Sequence, residues 1–347
     1  MRKIKLLLIL LPFFGFSQNK IGAEEKVTEG IKLHDEEKYD EALKKYDEAL
    51  ILDKNNLLAL TEKSMTLEAT KNYDEAIKIC QFIIANFKNE DNKIVYLNYG
   101  NSLDHSKRPL EALKIYDEGL KKYPDFYQLH FNKGITLVNN KQIDKSLESF
   151  QRSLQLNPDH PGTLNALAVL NENNRAISML CSLRYLSVDN KSQRAAGQLE
   201  FLQNQIKKGV DQKSDKSVSV SIDAKTLEKS EKNKKTPDDF SVVELILPLA
   251  VALDYDEKNI DKTDCQKLQY KIDTITSVLQ ESQKGKKGFY REFLAPYFIE
   301  MKEKKLVEAF AYIISYPTQS DDVLKYHQEN SKEIERFYAW SENYQWK

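Results

Sequence analysis

Five histidines, three cysteines and many scattered carboxylates are the residues of this 347-residue chain best suited to chemistry, and their spacing argues against most of it. His34, His105, His130, His160 and His327 never stand in a His-Glu-x-x-His or other ligand spacing, so no metal site is expected. Asp254, Asp256 and Glu257 are followed by Lys258 and Asn259, which break the regular oxygen series of a calcium loop. No glycine-rich phosphate loop follows a strand, and no Gly-x-Ser-x-Gly elbow occurs. Gly285 and Gly288 lie among lysines and match no nucleotide motif, and carboxylates such as Glu292 and Glu300 read as helix surface. No cofactor is called for, and the chain reads as a non-enzyme. What remains is recognition chemistry, carried by apolar, amide and acidic side chains that recur at fixed intervals.

Those intervals come from four copies of one helical hairpin, 23–56, 57–92, 93–126 and 127–160. Each copy is numbered here from its first residue, Ala23, Leu57, Lys93 or Tyr127. Position 8 is Gly30, Ser64, Gly100 and Gly134; position 20 is Ala42, Ala76, Ala112 and Ser146, successive members 34, 36 and 34 residues apart. Small residues at both positions suit the close crossing of two helices. Position 24 is Tyr46, Cys80, Tyr116 and Phe150, mostly rings expected to fill the gap to the next hairpin, and position 11 is always leucine (Leu33, Leu67, Leu103, Leu137). Pro124 and Pro158 stand where the second helix must end, since proline removes a donor and clashes with the preceding turn. Asp40-Glu41 and Asp74-Glu75 open the second helices, where carboxylates meet free N–H groups. The two extra residues near 89–92 predict a longer turn. A degenerate fifth hairpin follows, with Leu164, Leu167 and Ala168 in its first helix and 176–186 as its second; 191–208 suits a capping helix.

A period of about 34 residues with small residues at these offsets resembles the tetratricopeptide repeat. The resemblance covers roughly 140 residues. It implies an all-α helical-hairpin solenoid over 23–208 that serves protein–protein interaction, with first helices lining a concave groove. Positions 2, 5, 9, 12 and 13 would face that groove: Val27, Ile31, His34 and Asp35; Leu58, Thr61, Met65 and Glu68; Ile94, Leu97, Asn101, Asp104 and His105; Gln128, Phe131, Ile135 and Asn139. The residues chosen as the partner-binding set are Ile31, His34, Met65, Leu97, Asn101, His105, Phe131 and Ile135. The family's clamp for a partner's terminal carboxylate uses Lys at position 5 and Asn at position 9 of its first repeat. Val27 and Ile31 stand there in this chain, so that specificity is not carried over. An extended peptide or amphipathic helix with apolar anchors suits the strip better.

Residues 1–17 read as an export signal. Arg2, Lys3 and Lys5 precede an apolar run from Leu6 to Phe16, and Gly15 and Ser17 fit a cleavage site before Gln18. The run is too short to span a bilayer, which takes about 20 residues. The segment resembles Gram-negative export signals that end in Ser-Gln. Periplasmic destination is the reading, with extracellular release, or retention as an anchor, as the alternatives. The net charge of −1 becomes −4 when the three basic residues leave with the segment, and charges of both signs are interspersed, so nothing favours nucleic acid. An odd number of cysteines in an exported chain leaves at least one unpaired. Hairpins stack about 10 Å apart, which puts Cys80 and Cys181 beyond disulfide reach. Buried free thiols are expected.

Residues 209–236 are polar and read as a flexible linker, with Val218, Val220 and Ile222 hinting at a strand and 229–235 at a solvated basic tether. Residues 237–347 read as a small helical domain. Pro237-Asp238-Asp239 should start a helix that Pro248 kinks. Further helices are expected over 259–282, over 289–316 with a break near Lys304, and over 321–346. About half of the aromatic residues lie here, as core or as the lining of a ligand cavity. The leading reading is a scaffold that binds a protein or peptide in its groove. A small-ligand-binding or enzymatic C-terminal part, with the repeats as a targeting arm, is the alternative.

Overall fold

The computed structural model describes residues 11–214, 217–231 and 236–347. Residues 1–10 of the expected export signal and residues 232–235 of the expected tether lie outside them. The described residues are all-α apart from one short β-hairpin, and the chain packs as two compact units, one up to Ser149 and one from Phe150.

In the first unit the repeats are helix pairs: α1 (Leu11–Asp35) with α2 (Tyr39–Leu52), α3 (Leu57–Ala69) with α4 (Tyr73–Asn86), and α5 (Lys93–His105) with α6 (Pro109–Lys122). α7 (Tyr127–Asn139) and α8 (Ile143–Leu156) follow. One turn joins every pair. Glu37, Lys71, Lys107 and Lys141 take left-handed φ values of 60°, 65°, 65° and 58°. Each donates its N–H to the carbonyl three residues back, and the next residue reaches back five (Lys38 to Leu33, Asn72 to Leu67, Arg108 to Leu103, Gln142 to Leu137). This satisfies the last carbonyls of the first helix and reverses the chain.

The small residues at position 8 answer to the ring at position 24 of their own hairpin. A Cβ on Gly30 would lie 2.4 Å from Tyr46 Cε1, and one on Gly100 would lie 2.1 Å from Tyr116 Cε1. The rings thus lie over the glycines rather than only bridging to the next hairpin. The longer turn at 87–92 is pinned by the following hairpin: Asn92 N–H donates to the Tyr123 hydroxyl at 3.0 Å, which donates to Asn92 Oδ1 at 2.7 Å. Where proline is missing after α2, Asp53 Oδ1 accepts from Asn55 N–H and Asn56 caps α3 through Ala59 N–H, at 2.9 Å.

The second unit is centred on α10 (Arg175–Val188), buried along nearly its whole length. α9 (Pro161–Leu170) pairs with it and α11 (Ala195–Lys207) follows. Residues 209–236, expected as a flexible linker, hold β1 (Val210–Ser214), β2 (Ser217–Val220) and α12 (Ala224–Glu231). The strands pair antiparallel, Val210 opposite Val220 and Gln212 opposite Val218, and both strands and α12 pack on α13 (Ser241–Ala252). α14 (Asp264–Ser282), α15 (Ala295–Glu303), α16 (Val307–Ile314), α17 (Asp321–Glu329) and α18 (Ser331–Glu342) complete it.

Three expected helix boundaries are corrected. Pro237-Asp238-Asp239 is a turn, with Asp238 at φ 52° and its carboxylate accepting Arg291 N–H at 2.9 Å, so α13 begins at Ser241. α14 starts at Asp264, because Thr263 and Gln266 form a reciprocal capping box. The last helix is two, broken at Asn330. The expected division at 209–236 also differs from the packing: α10 and α11 contact α13 and the region around α16, which draws residues on both sides of that segment into one unit. All three cysteines are free and buried, and burial pushes the Cys80 and Cys265 thiols up to about 12.

Candidate partner-binding face

First helices pack on one another, α1 on α3, α3 on α5 and α5 on α7, while consecutive second helices barely approach. The first helices therefore make a continuous face. Positions 2 and 9 leave Leu58, Ile94 and Ile135 exposed, at 51%, 36% and 37%. Ile31, Met65, Leu97 and Phe131 are half-buried beside them. Val27, expected on this face, is fully buried, because position 5 of the first repeat turns into the cluster of Ala23, Ala42, Tyr46, Ala49 and Ala59.

The polar members of the expected set tie repeats to one another. His34 Nδ1 lies 2.7 Å from Thr66 Oγ1, and Asp104 Oδ2 accepts from Thr136 at 2.9 Å, so position 12 meets position 10 of the next repeat twice. Asn101 Oδ1 accepts from the Tyr116 hydroxyl at 2.8 Å and from Asn132 Nδ2 at 2.7 Å. Asn98 Nδ2 donates to Ser64 Oγ at 3.0 Å. His34 and Asn101 thus hold the stack in register, a role the sequence reading had not given them. His105 is more exposed; its Nδ1 is 2.8 Å from Glu68 Oε1 and its ring is 5.8 Å from that of Tyr73. A polar cleft of about 650 Å³ opens there, lined by Tyr73, Asp104, His105, Lys107 and Asn139 among others.

Tyr73, Lys107, Glu62 and Asn132 were not in the expected set. The signal for the last two was the amide recurring at position 6 (Asn98, Asn132), which faces the preceding repeat. Glu62 occupies position 6 of the second repeat. Burial, reinforced by the charge of Asp35, holds its carboxyl above the usual range. Among the described residues no cluster of three or more His, Cys, Asp or Glu side chains is placed to hold a metal ion, and no helix is long and apolar enough to cross a membrane.

Stacked antiparallel hairpins on a lattice of small residues define a helical-repeat scaffold. The profile of the tetratricopeptide repeat matches residues 28–91 and 97–161, so that stretch of the chain carries repeats of this family. The Hsp70-Hsp90 organising protein of Plasmodium falciparum (isolate 3D7) is 26% identical over 151 residues, 44% of this chain; the match spans only 22% of that relative. Similar solved structures include a thermophilic TPR protein of Thermus thermophilus, 17% identical, covering 52% of this chain and 99% of that one at a TM-score of 0.46. Another is pilF of Pseudomonas aeruginosa, 18% identical, covering 55% and 90% at 0.43. Repeats of this family are scaffolds for protein–protein interaction.

Proposed function

We propose that the first-helix face is a groove that binds an extended peptide or amphipathic helix of a protein partner. The observation that carries this reading is the half-exposed apolar strip from Ile31 to Ile135, flanked by side chains already locked into inter-repeat hydrogen bonds. A strip on a stiff frame binds with little ordering cost. Asn101 is unsuited to testing it, since its replacement would unpair Tyr116 and Asn132. Leu58→Glu and Ile135→Glu put a charge on the strip and touch none of the hydrogen bonds described above. Affinity capture from an envelope extract, with circular dichroism as the fold control, should recover partners with the native chain and lose them with both variants. Partners retained by folded variants would move the function elsewhere.

The segment 1–17 supports export to the periplasm with Gln18 as the mature amino terminus. Cleavage there would remove the first residues of α1 and leave the hairpin core intact. Amino-terminal sequencing of the envelope fraction tests it; an intact Met1 would overturn it.

A small-ligand role for the C-terminal part has one observation in its favour, a cleft of about 480 Å³ whose lining includes Phe293, Trp340, Tyr344, Glu300 and Glu303. The Trp340 indole donates to Glu300 at 3.0 Å, so ligand entry there would alter tryptophan fluorescence.

A further inference from the structure

The repeats supply an internal comparison between two equivalent places. At the junction of the third and fourth repeats, the Tyr116 ring lies over Gly100 and its hydroxyl emerges at position 9, where it donates to Asn101, and Asn132 completes the set. At the junction of the first and second, the Tyr46 ring lies over Gly30 in the same way. Position 9 is now Ile31, which cannot accept, and position 6 of the next repeat is Glu62 in place of the amide. The consequences are visible. The Tyr46 hydroxyl is fully buried without a hydrogen-bond partner, and the Thr66 hydroxyl is engaged with His34. Glu62 is half-buried and has neither a hydrogen bond nor an ion pair. The second carboxylate that acts on it, Asp35, has no ion pair either. Because the two junctions are equivalent, Glu62 stands beside the Tyr46 hydroxyl as Asn132 stands beside that of Tyr116; burial first, then the charges of Glu62 and Asp35, push that hydroxyl up to about 12.

A half-buried carboxylate beside a second one, over an orphaned hydroxyl, is unfavourable for the free protein, because a buried polar group without a partner forfeits its hydration. We propose that the groove between the first and second repeats takes a lysine or arginine side chain of the bound partner, its charge held by Glu62 and Asp35 above the buried Tyr46 hydroxyl and its aliphatic stem beside Ile31. The inference rests on the groove reading and gives it a chemistry: a peptide with apolar anchors and one basic residue near the end seated on the first repeat.

The probe is a phage-displayed random dodecapeptide library selected on the full chain, on Glu62→Gln and Asp35→Asn, and on Leu58→Glu with Ile135→Glu. The native chain should enrich peptides with one Lys or Arg at a fixed distance from apolar residues. Both acid-to-amide variants should keep the apolar residues and lose the basic preference. Replacing that basic residue by norleucine in the best synthetic peptide should weaken binding to the native chain by on the order of tenfold, and to Glu62→Gln hardly at all. Apolar enrichment without a basic preference would overturn the cation site and leave the groove standing. Equal enrichment on the Leu58→Glu, Ile135→Glu chain would overturn both. Glu62→Gln is nearly isosteric and removes a desolvated charge, so misfolding does not confuse the result.

Discussion

The pairing of position 8 with position 24 is an exchange of volume. Where the ring is tyrosine, its partner is glycine, and the missing Cβ leaves room for Cε1 at 2.4 Å and 2.1 Å from where that atom would stand. In the second repeat the ring is replaced by Cys80, and Ser64 has its Cβ and hydroxyl. The two positions therefore act as one. Gly100→Ala should destabilise the fold by about 1–3 kcal/mol, the usual cost of overpacking, and Cys80→Tyr should behave alike. Ser64→Gly combined with Cys80→Tyr should recover much of the loss, and urea unfolding of the two single variants and the double would show a coupling that distant sites lack. Strictly additive effects would mean that Cys80 and Ser64 pack independently. The same volume rule explains the Tyr46 hydroxyl: the ring must lie over Gly30, so the hydroxyl is carried to position 9 whatever stands there.

The hairpin turn repeats more faithfully than the residues that form it. Glu37, Lys71, Lys107 and Lys141 share the left-handed conformation, and Lys305 adopts it at φ 57° between α15 and α16, with Leu306 N–H reaching back to Met301. A non-glycine residue pays roughly 1–2 kcal/mol for that conformation, against about 0.5–1 kcal/mol of extra chain entropy that glycine loses on folding. Lys107→Gly should therefore stabilise by a few tenths to about 1 kcal/mol, seen as a raised melting temperature, and a lowered one would show that the lysine side chain supports the turn. The turn is the same in the C-terminal hairpin, but Phe298 and Phe310, 6.0 Å apart, stand where the repeats have small residues, and α15 and α16 do not close on each other. This separates what could be read in advance from what could not. The repeats were legible because packing demands small side chains at fixed offsets, and those residues are rare enough to count. The left-handed lysines carried no signal, since any residue can be forced there by hydrogen bonds on either side. β2 was hinted at by the alternation of Val218, Val220 and Ile222, but β1 and α12 were illegible, because residues 209–236 are polar and pack on α13. The repeat positions pointed to the exposed apolar strip but not to the burial of Val27, and the bonds of His34 to Thr66 and of Asn101 to Asn132 were not legible, because each partner lies in the following repeat.

Residues 161–207 continue the hairpin pattern in sequence, yet their partners are in the C-terminal helices. Arg184 is buried; its guanidinium donates to Tyr297 and Ser341, each at 2.8 Å, pairs with Asp159, and lies 4.5 Å from the Tyr297 ring and 5.3 Å from that of Trp346. Arg175 donates to the Glu244 carbonyl at 2.7 Å, and Glu244 Oε1 accepts the Ala176 N–H at 2.6 Å, capping α10. Asn190 donates to the Ile313 carbonyl at 2.8 Å, and Asn171 to the Tyr290 hydroxyl at 3.1 Å. A buried arginine stripped of its partners costs about 3–5 kcal/mol, a large fraction of a domain's roughly 5–15 kcal/mol. A chain cut after Lys208 keeps every residue of the fifth hairpin and loses all these C-terminal partners. In such a chain the amides of α9, α10 and α11 should exchange with solvent far faster than in the intact protein, while α3 to α6, whose contacts lie within the first unit, keep their protection. Hydrogen exchange read helix by helix distinguishes the two. Unchanged protection in α10 would mean that the fifth hairpin folds with the repeats alone and that residues 209–236 are a true boundary. Loss of protection would mean that the repeat pattern in the sequence outlasts the repeat scaffold in the fold, its last hairpin having become the core of a different structure.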